Sequence, residues 1–273
     1  LLRNTNAQEM VMNRRDWLKG GAALAAAAGV STKMSEAQAA PAAAREYYLF
    51  RKYSLNRGLQ STSVAKYFQE ALVPALGRMG LGPVGVFTLT YGEGTPMMVL
   101  LVPSADISKL TNLDLNLAKD AAFMAAAKPY WGAPVAAPIF DRIQSSISIA
   151  FEGFPKLIAP AKEPRLLQIR TYESPTEASH VLKVEMFHQG EFRIFEEAGA
   201  KGVLYSDNLI GDRLPSLTYM LCHKDLASVT QNWKNFTSHP DWKKLAANPR
   251  YATDPIVSRV DDLLLTPTAY SQV

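Results

Sequence analysis

The chain has 273 residues and one cysteine, Cys222, so no disulfide can form within it. Histidine is almost as scarce, with four residues, and neither His-Glu-x-x-His nor a clustered cysteine pattern occurs. No metal site is therefore expected. Gly-x-Gly-x-x-Gly, the phosphate-loop pattern and Gly-x-Ser-x-Gly are missing too, which argues against a nucleotide cofactor and against a nucleophile elbow. No uncharged apolar run approaches the ~20 residues needed to span a bilayer. Basic residues interleaved with aromatics are absent, so nucleic acid is not an expected partner. The formal charge of +4 is modest. Half of it lies in residues 1–39, where Arg3, Arg14, Arg15, Lys19 and Lys33 oppose Glu9, Asp16 and Glu36. Cys222 sits in an apolar run, the setting of a buried inert thiol rather than a reactive one. His223 follows it directly, and strand neighbours point to opposite faces, which weakens a Cys–His pair.

What is present begins with a leader over residues 1–39. Asn13-Arg14-Arg15-Asp16-Trp17-Leu18-Lys19 resembles the twin-arginine export motif, with Asn where Ser or Thr is usual and Trp where Phe is usual. The Ala- and Gly-rich run Gly20 to Val30 is too short to span and fits the weakly hydrophobic middle of a cleaved signal. Ala37-Gln38-Ala39 and Ala40-Pro41-Ala42 offer small residues at cleavage spacing. Met10 and Met12 are candidate starts, and a start at Met12 would bring the arginines close behind the initiator. The expectation is an exported, periplasmic protein.

The remainder reads as two copies of one unit, at 45–158 and 164–273. Arg51 and Arg170, Tyr53 and Tyr172, Phe68 and Phe187, Gly80 and Gly199, Pro96 and Pro215, and Asp106 and Asp225 are each 119 residues apart. The stretch Ala159 to Pro164, bracketed by prolines, marks the boundary between them. Glu46 to Ser54 reads as a strand, and Leu59 to Met79 as a helix with Val64, Phe68, Leu72 and Leu76 on one face, kinked or shortened at Pro74. Val84 to Tyr91 and Met97 to Val102 flank the hairpin signal Gly92 to Thr95. Asp106 suits an N-cap, Lys128 to Pro138 should be irregular, and Ser145 to Phe151 closes the unit as a strand. In the second unit, strands are expected at Leu166 to Tyr172, Gly202 to Ile210, Leu217 to His223 and Val257 to Leu265. Helices are expected up to Gly199 and from Asp225.

Arg170 and Tyr172 on the first strand, Gly199 before the second, and Trp233-x-x-Phe236 followed by Pro240-Asp241-Trp242 make the stretch Arg165 to Tyr251 resemble the NIPSNAP family. The resemblance covers about 90 residues and implies a fold more than a reaction. It implies an α+β chain in which two tandem ferredoxin-like (βαββαβ) repeats form a pseudo-dimer of the dimeric α/β-barrel type, as a monomer or as a further homodimer. Two ferredoxin-like sheets each leave one face bare, and a second copy can cover it.

Candidate site residues follow from the expected faces. Leu167 and Ile169 should pack under the helices, while Gln168, Arg170 and Tyr172, with Arg51 and Tyr53 in the first unit, should point into the barrel. There they would either form a polar seam with carboxylates or hold an anionic ligand. On the long second-unit helix, Glu191 falls on the core face among Val184, Phe187, Ile194, Phe195 and Ala198, with His188 at the edge and His180 near the start. A carboxylate facing a core needs a partner such as Lys183 or Arg193, or a wet cavity. His188-x-x-Glu191 could then orient an imidazole as a general base. His239 belongs to a helix-packing corner. The leading reading is a binding protein of the cell envelope, with a small molecule or an envelope protein as partner and no cofactor. The alternative is a cofactor-free monooxygenase-like or haem-using enzyme, in which His188 would be the axial ligand.

Overall fold

The computed structural model describes residues 44–56, 58–252 and 255–273. The leader, with its twin arginines and cleavage candidates, lies outside the described residues. The first half contains strands β1 (Tyr47–Ser54), β2 (Gly85–Tyr91), β3 (Met97–Ser104) and β4 (Arg142–Ala150). Its helices are α1 (Leu59–Tyr67), α2 (Val73–Arg78), α3 (Ile107–Thr111), α4 (Leu113–Leu117) and α5 (Ala121–Trp131). The second half contains β5 (Leu166–Glu173), β6 (Lys201–Ile210), β7 (Ser216–His223) and β8 (Arg259–Pro267). Its helices are α6 (Glu177–Met186), α7 (Phe192–Glu197), α8 (Leu226–Ser238), α9 (Pro240–Ala246) and α10 (Pro249–Ala252). None of the described helices is long and apolar enough to cross a membrane.

The eight strands close into an antiparallel barrel in the order β1-β3-β2-β8-β5-β7-β6-β4. The closing seams join the halves: β2 pairs with β8 and β4 with β6. A closed barrel leaves no strand edge unpaired. Polar side chains start the helices: Asp106, Asp120, Thr176 and Asp225 each accept a backbone N–H from the first turn, at 2.8 to 3.1 Å. His239 caps α9 in the same way, accepting from the Asp241 N–H at 3.2 Å, and serves as the packing corner expected of it.

One sequence expectation about helices is refined and another needs correction. Next to Pro74 the first helix changes its winding rather than ending. The π-helical turn Phe68–Leu72 joins α1 to α2 and places Pro74 in the first turn of α2, where a missing N–H costs little. Lys128 to Trp131 is helical rather than irregular, despite Pro129. Tyr130 stacks on Tyr67 at 3.7 Å and Trp131 meets Phe123 at 5.2 Å, so packing carries α5 through its proline.

Both faces of the sheet are buried. Outside the barrel, Val64, Phe68, Leu72 and Leu76 pack on Leu49, Tyr53, Met98 and Leu100 in the first half. In the second half, Phe187, Ile194, Phe195 and Phe236 pack on Tyr205, Leu217, Tyr219 and Leu221. Inside, Tyr48, Phe50, Val99, Leu101, Leu167, Ile169, Met220 and Leu265 fill the lumen. The expected facing of β1 and β5 is therefore reversed: Leu167 and Ile169 line the lumen, while Arg51, Tyr53, Arg170 and Tyr172 lie under the helices. The polar residues can sit there because the helices and β8 supply their partners.

Candidate functional site

Under the second-half helices, the predicted residues form a sealed polar seam. Glu191 is 2% and Lys183 4% exposed, and Lys183 Nζ donates to Glu191 Oε1. The ammonium is boxed by Tyr172, Phe187 and Trp242, with ring centroids at 5.4, 4.8 and 5.6 Å. Burial raises the Glu191 carboxyl above its ordinary range, and Lys183 only partly offsets this. Arg170 lies 4.2 Å from the Trp233 ring and 3.4 Å from Asp262. Gln168 donates to both Asp262 oxygens and accepts from Trp233 Nε1 at 2.8 Å. Tyr219 donates to the Tyr172 hydroxyl at 2.7 Å, and burial pushes the Tyr172 phenol up to about 12. In the first half, Arg51 is bound by both oxygens of Asp114 at 2.8 Å, and Tyr53 meets Phe68 edge-on at 4.9 Å.

His188 and Glu191 are not brought together. His188 is exposed, and both of its ring nitrogens are engaged. Nε2 accepts the Gly153 N–H at 3.2 Å, which leaves the proton on Nδ1 to reach the Val184 carbonyl at 2.9 Å. The ring packs between Phe151 and Phe192, both at 5.4 Å. An axial haem ligand needs a free nitrogen facing an open space, so His188 does not fit that role. His180 is held by Asp207 at 2.8 Å at the edge of the seam. No cluster of three or more His, Cys, Asp or Glu side chains among the described residues could hold a metal. Cys222 faces the lumen side while His223 bonds Gln168 at 3.1 Å on the helix side, and burial raises the thiol.

The open space lies elsewhere, at the hairpin end of the barrel, where a cavity of about 490 Å³ is lined by both halves. Its apolar floor is Phe50, Met97, Ile169 and Leu263. Hydroxyls of Ser54, Ser145, Ser146, Thr171 and Thr218 form much of the wall. Thr171 and Thr218 bond each other at 3.0 Å, and Asn208 Nδ2 reaches Ser216 at 2.8 Å and Thr218 at 3.1 Å. Asn208 Oδ1 is buried without a partner, as is Ser148 Oγ, its cross-strand neighbour in register. Such orphaned acceptors are costly unless something binds them.

The charges at the mouth are arranged unequally. Arg213 and Arg259 both reach Asp261, the latter at 3.2 Å. Burial would raise the Asp261 carboxyl, but hydrogen bonds from the two arginines outweigh it and hold it below the usual range. Lys52 makes no such bond among the described residues. Burial lowers its amine below the ordinary value, while Asp261 and Asp212 act in the opposite sense and Arg213 adds to the lowering. Sequence reasoning missed this mouth. The signal was Lys52 sharing a strand face with Phe50, and Thr171 sharing one with Ile169. Placing Ile169 under the helices and Arg51 in the barrel hid both pairs.

Residues 167–272 match the NIPSNAP family. A candidate monooxygenase from Lactobacillus acidophilus NCFM is 10% identical, with a TM-score of 0.51 over 82% of this chain and 94% of that one. A NIPSNAP-like domain protein from Burkholderia xenovorans is 16% identical and covers 40% of this chain and 90% of its own, with a TM-score of 0.35. A chlorite dismutase variant from Candidatus Nitrospira defluvii is 11% identical, with a TM-score of 0.45 over 82% and 92% of the two chains. Among curated proteins, none matches this sequence. The likeness to the Lactobacillus structure reaches the fold, a mixed α+β chain with an antiparallel sheet, and residues 167–272 match the NIPSNAP family.

Proposed function

We propose that the chain is an exported binding protein of the cell envelope that holds a small hydroxylated molecule in the mouth of its barrel. One observation carries this reading. The 490 Å³ mouth has an apolar floor and a hydroxyl wall that suit a drug-sized polar ligand. The space under the helices is taken instead. Phe187, Tyr205 and Tyr219 are fully buried there, and Phe195 stacks on Phe236 at 4.2 Å. A haem or a monooxygenase substrate placed under those helices would have to displace these rings. The twin-arginine resemblance supports export.

The two halves are, in this reading, copies of one ferredoxin-like unit that cover each other as a pseudo-dimer. Six identities at one offset support it. So do the π-helical turns Phe68–Leu72 and Phe187–Glu191, which fall at that same offset.

The test is thermal unfolding of the full chain with a panel of small sugars, hydroxy acids and hydroxy aldehydes. At least one should raise the midpoint, because a ligand that binds only the folded state stabilises it. Ser146→Phe, which fills the mouth, should abolish that rise while leaving the folded circular dichroism spectrum unchanged. A rise that persists in Ser146→Phe, or no rise with any compound, contradicts the reading.

A further inference from the structure

Lys52 has no assigned task in the fold. Its neighbours two positions away on the same strand face, Phe50 and Ser54, both line the mouth with it. The other cations around the opening, Arg213 and Arg259, are committed to Asp261. Asp262 accepts two hydrogen bonds from Gln168, so its carboxylate is turned to the helix side. What faces the opening is then three bases, Lys52, Arg213 and Arg259, against three acids, Glu93, Asp212 and Asp261. A balanced wall gives no net attraction for an anion and no penalty for a neutral ligand. The Lys52 amine has no carboxylate or carbonyl within bonding distance among the described residues, and burial shifts it toward the neutral form, which carries the lone pair.

We propose that Lys52 captures a carbonyl group, so that a small hydroxylated aldehyde or ketone is held in the barrel mouth as a reversible imine. This rests on the reading of the mouth as a small-molecule site, and it names the ligand class. The Nζ lone pair attacks the carbonyl carbon and forms the C–N bond, while the carbonyl oxygen takes a proton released by the nitrogen. The C–O bond of the resulting carbinol then breaks, and the oxygen leaves as water with the second amine hydrogen. Nothing is oxidised or reduced, and hydrolysis reverses the step. Asp212, which accepts from Gln144 at 3.3 Å and has no arginine bond among the described residues, is a carboxylate that can relay these protons. Burial supports the chemistry, because it disfavours the ammonium form, which has no lone pair to give. The ligand's hydroxyls can meet the Ser146 and Thr171 side chains of the wall, and its carbon chain has an apolar floor.

The experiment incubates the full chain with glyceraldehyde, reduces any imine with borohydride, and locates the adduct by intact mass and peptide mapping. The expected result is one reduced adduct per chain, on Lys52. Lys52→Met should lose it, and Lys52→Arg, which keeps the charge but cannot form the imine, should lose it too while remaining folded. Label spread over exposed lysines such as Lys201 and Lys234, with Lys52 unmodified, overturns the proposal. So does an adduct count unchanged in Lys52→Arg. Glycerol in a parallel thermal series separates the two levels. If Lys52 stays unlabelled while glycerol still raises the midpoint in wild type but not in Ser146→Phe, the imine fails and the cavity reading stands. If neither occurs, both fall.

Discussion

The two helix–sheet layers solve one packing problem with opposite chemistry. Positions 119 residues apart hold Val64 and Leu72 in the first half, and Lys183 and Glu191 in the second; all four are nearly inaccessible to solvent. The first layer is closed by aliphatic contact. The second is closed by a buried ion pair inside an aromatic box. Arg51 and Arg170 repeat the contrast. At the helical position facing them, the first half places Asp114, which clamps Arg51 at 2.8 Å, and the second places Trp233, on which Arg170 stacks at 4.2 Å. One barrel therefore contains both solutions, and each of these charges has its partner within the protein.

The largest test of the comparison copies one half into the other. Lys183→Val or Glu191→Leu alone strands a buried charge and should cost about 3–5 kcal/mol in denaturant unfolding. The double variant restores the first-half arrangement and should return to wild-type stability or exceed it. A double variant no more stable than the worse single would show that the second layer has adapted around its ion pair.

A smaller effect concerns pH. His223 occupies the place of Ser104 in the first half and is buried between Gln168 and Asn232. Burial lowers its pKa to about 4 from 6.5. The neutral form is favoured in the folded state, so its contribution is present above pH 6.5 and is lost as pH falls through the folded value. The loss should total about 3 kcal/mol across that window. His223→Ser should flatten the limb between pH 6.5 and 4 when stability is measured by urea titration. An unchanged limb assigns the acid sensitivity to another group.

The smallest effects separate the arginines. Arg170→Met, losing its place over Trp233, should cost about 1–2 kcal/mol. Arg51→Met, whose partner Asp114 is 57% exposed, should cost about 0.5–1 kcal/mol in the same assay. A larger loss at Arg51 would reverse the ranking of the two partners.

Much of the barrel was legible because its signals are local. Hairpin glycines, N-cap Asp106 and Asp225, and the helical spacing of Phe68 and Leu72 are read within a few residues. The burial of Glu191 was legible for the same reason: helix phase is a short-range property, and Lys183 was among its foreseeable partners. Strand facing was not legible. In a closed barrel both faces are buried, so Leu167 and Ile169 on one side and Tyr172 on the other are equally acceptable inward or outward. The choice is fixed by residues far away in sequence, such as Asp262 for Arg170 and Asp114 for Arg51. The mouth was hidden by the same ambiguity, since it is assembled from seven strands and two hairpins.

The most direct test of where the ligand sits uses two variants side by side. Whichever compound raises the wild-type unfolding midpoint is measured again on Ser146→Phe and on the Lys183→Val/Glu191→Leu double variant. The mouth reading predicts that the rise disappears in Ser146→Phe and survives intact in the double variant. A rise that survives Ser146→Phe and disappears in the double variant would place the ligand under the second-half helices and contradict the account.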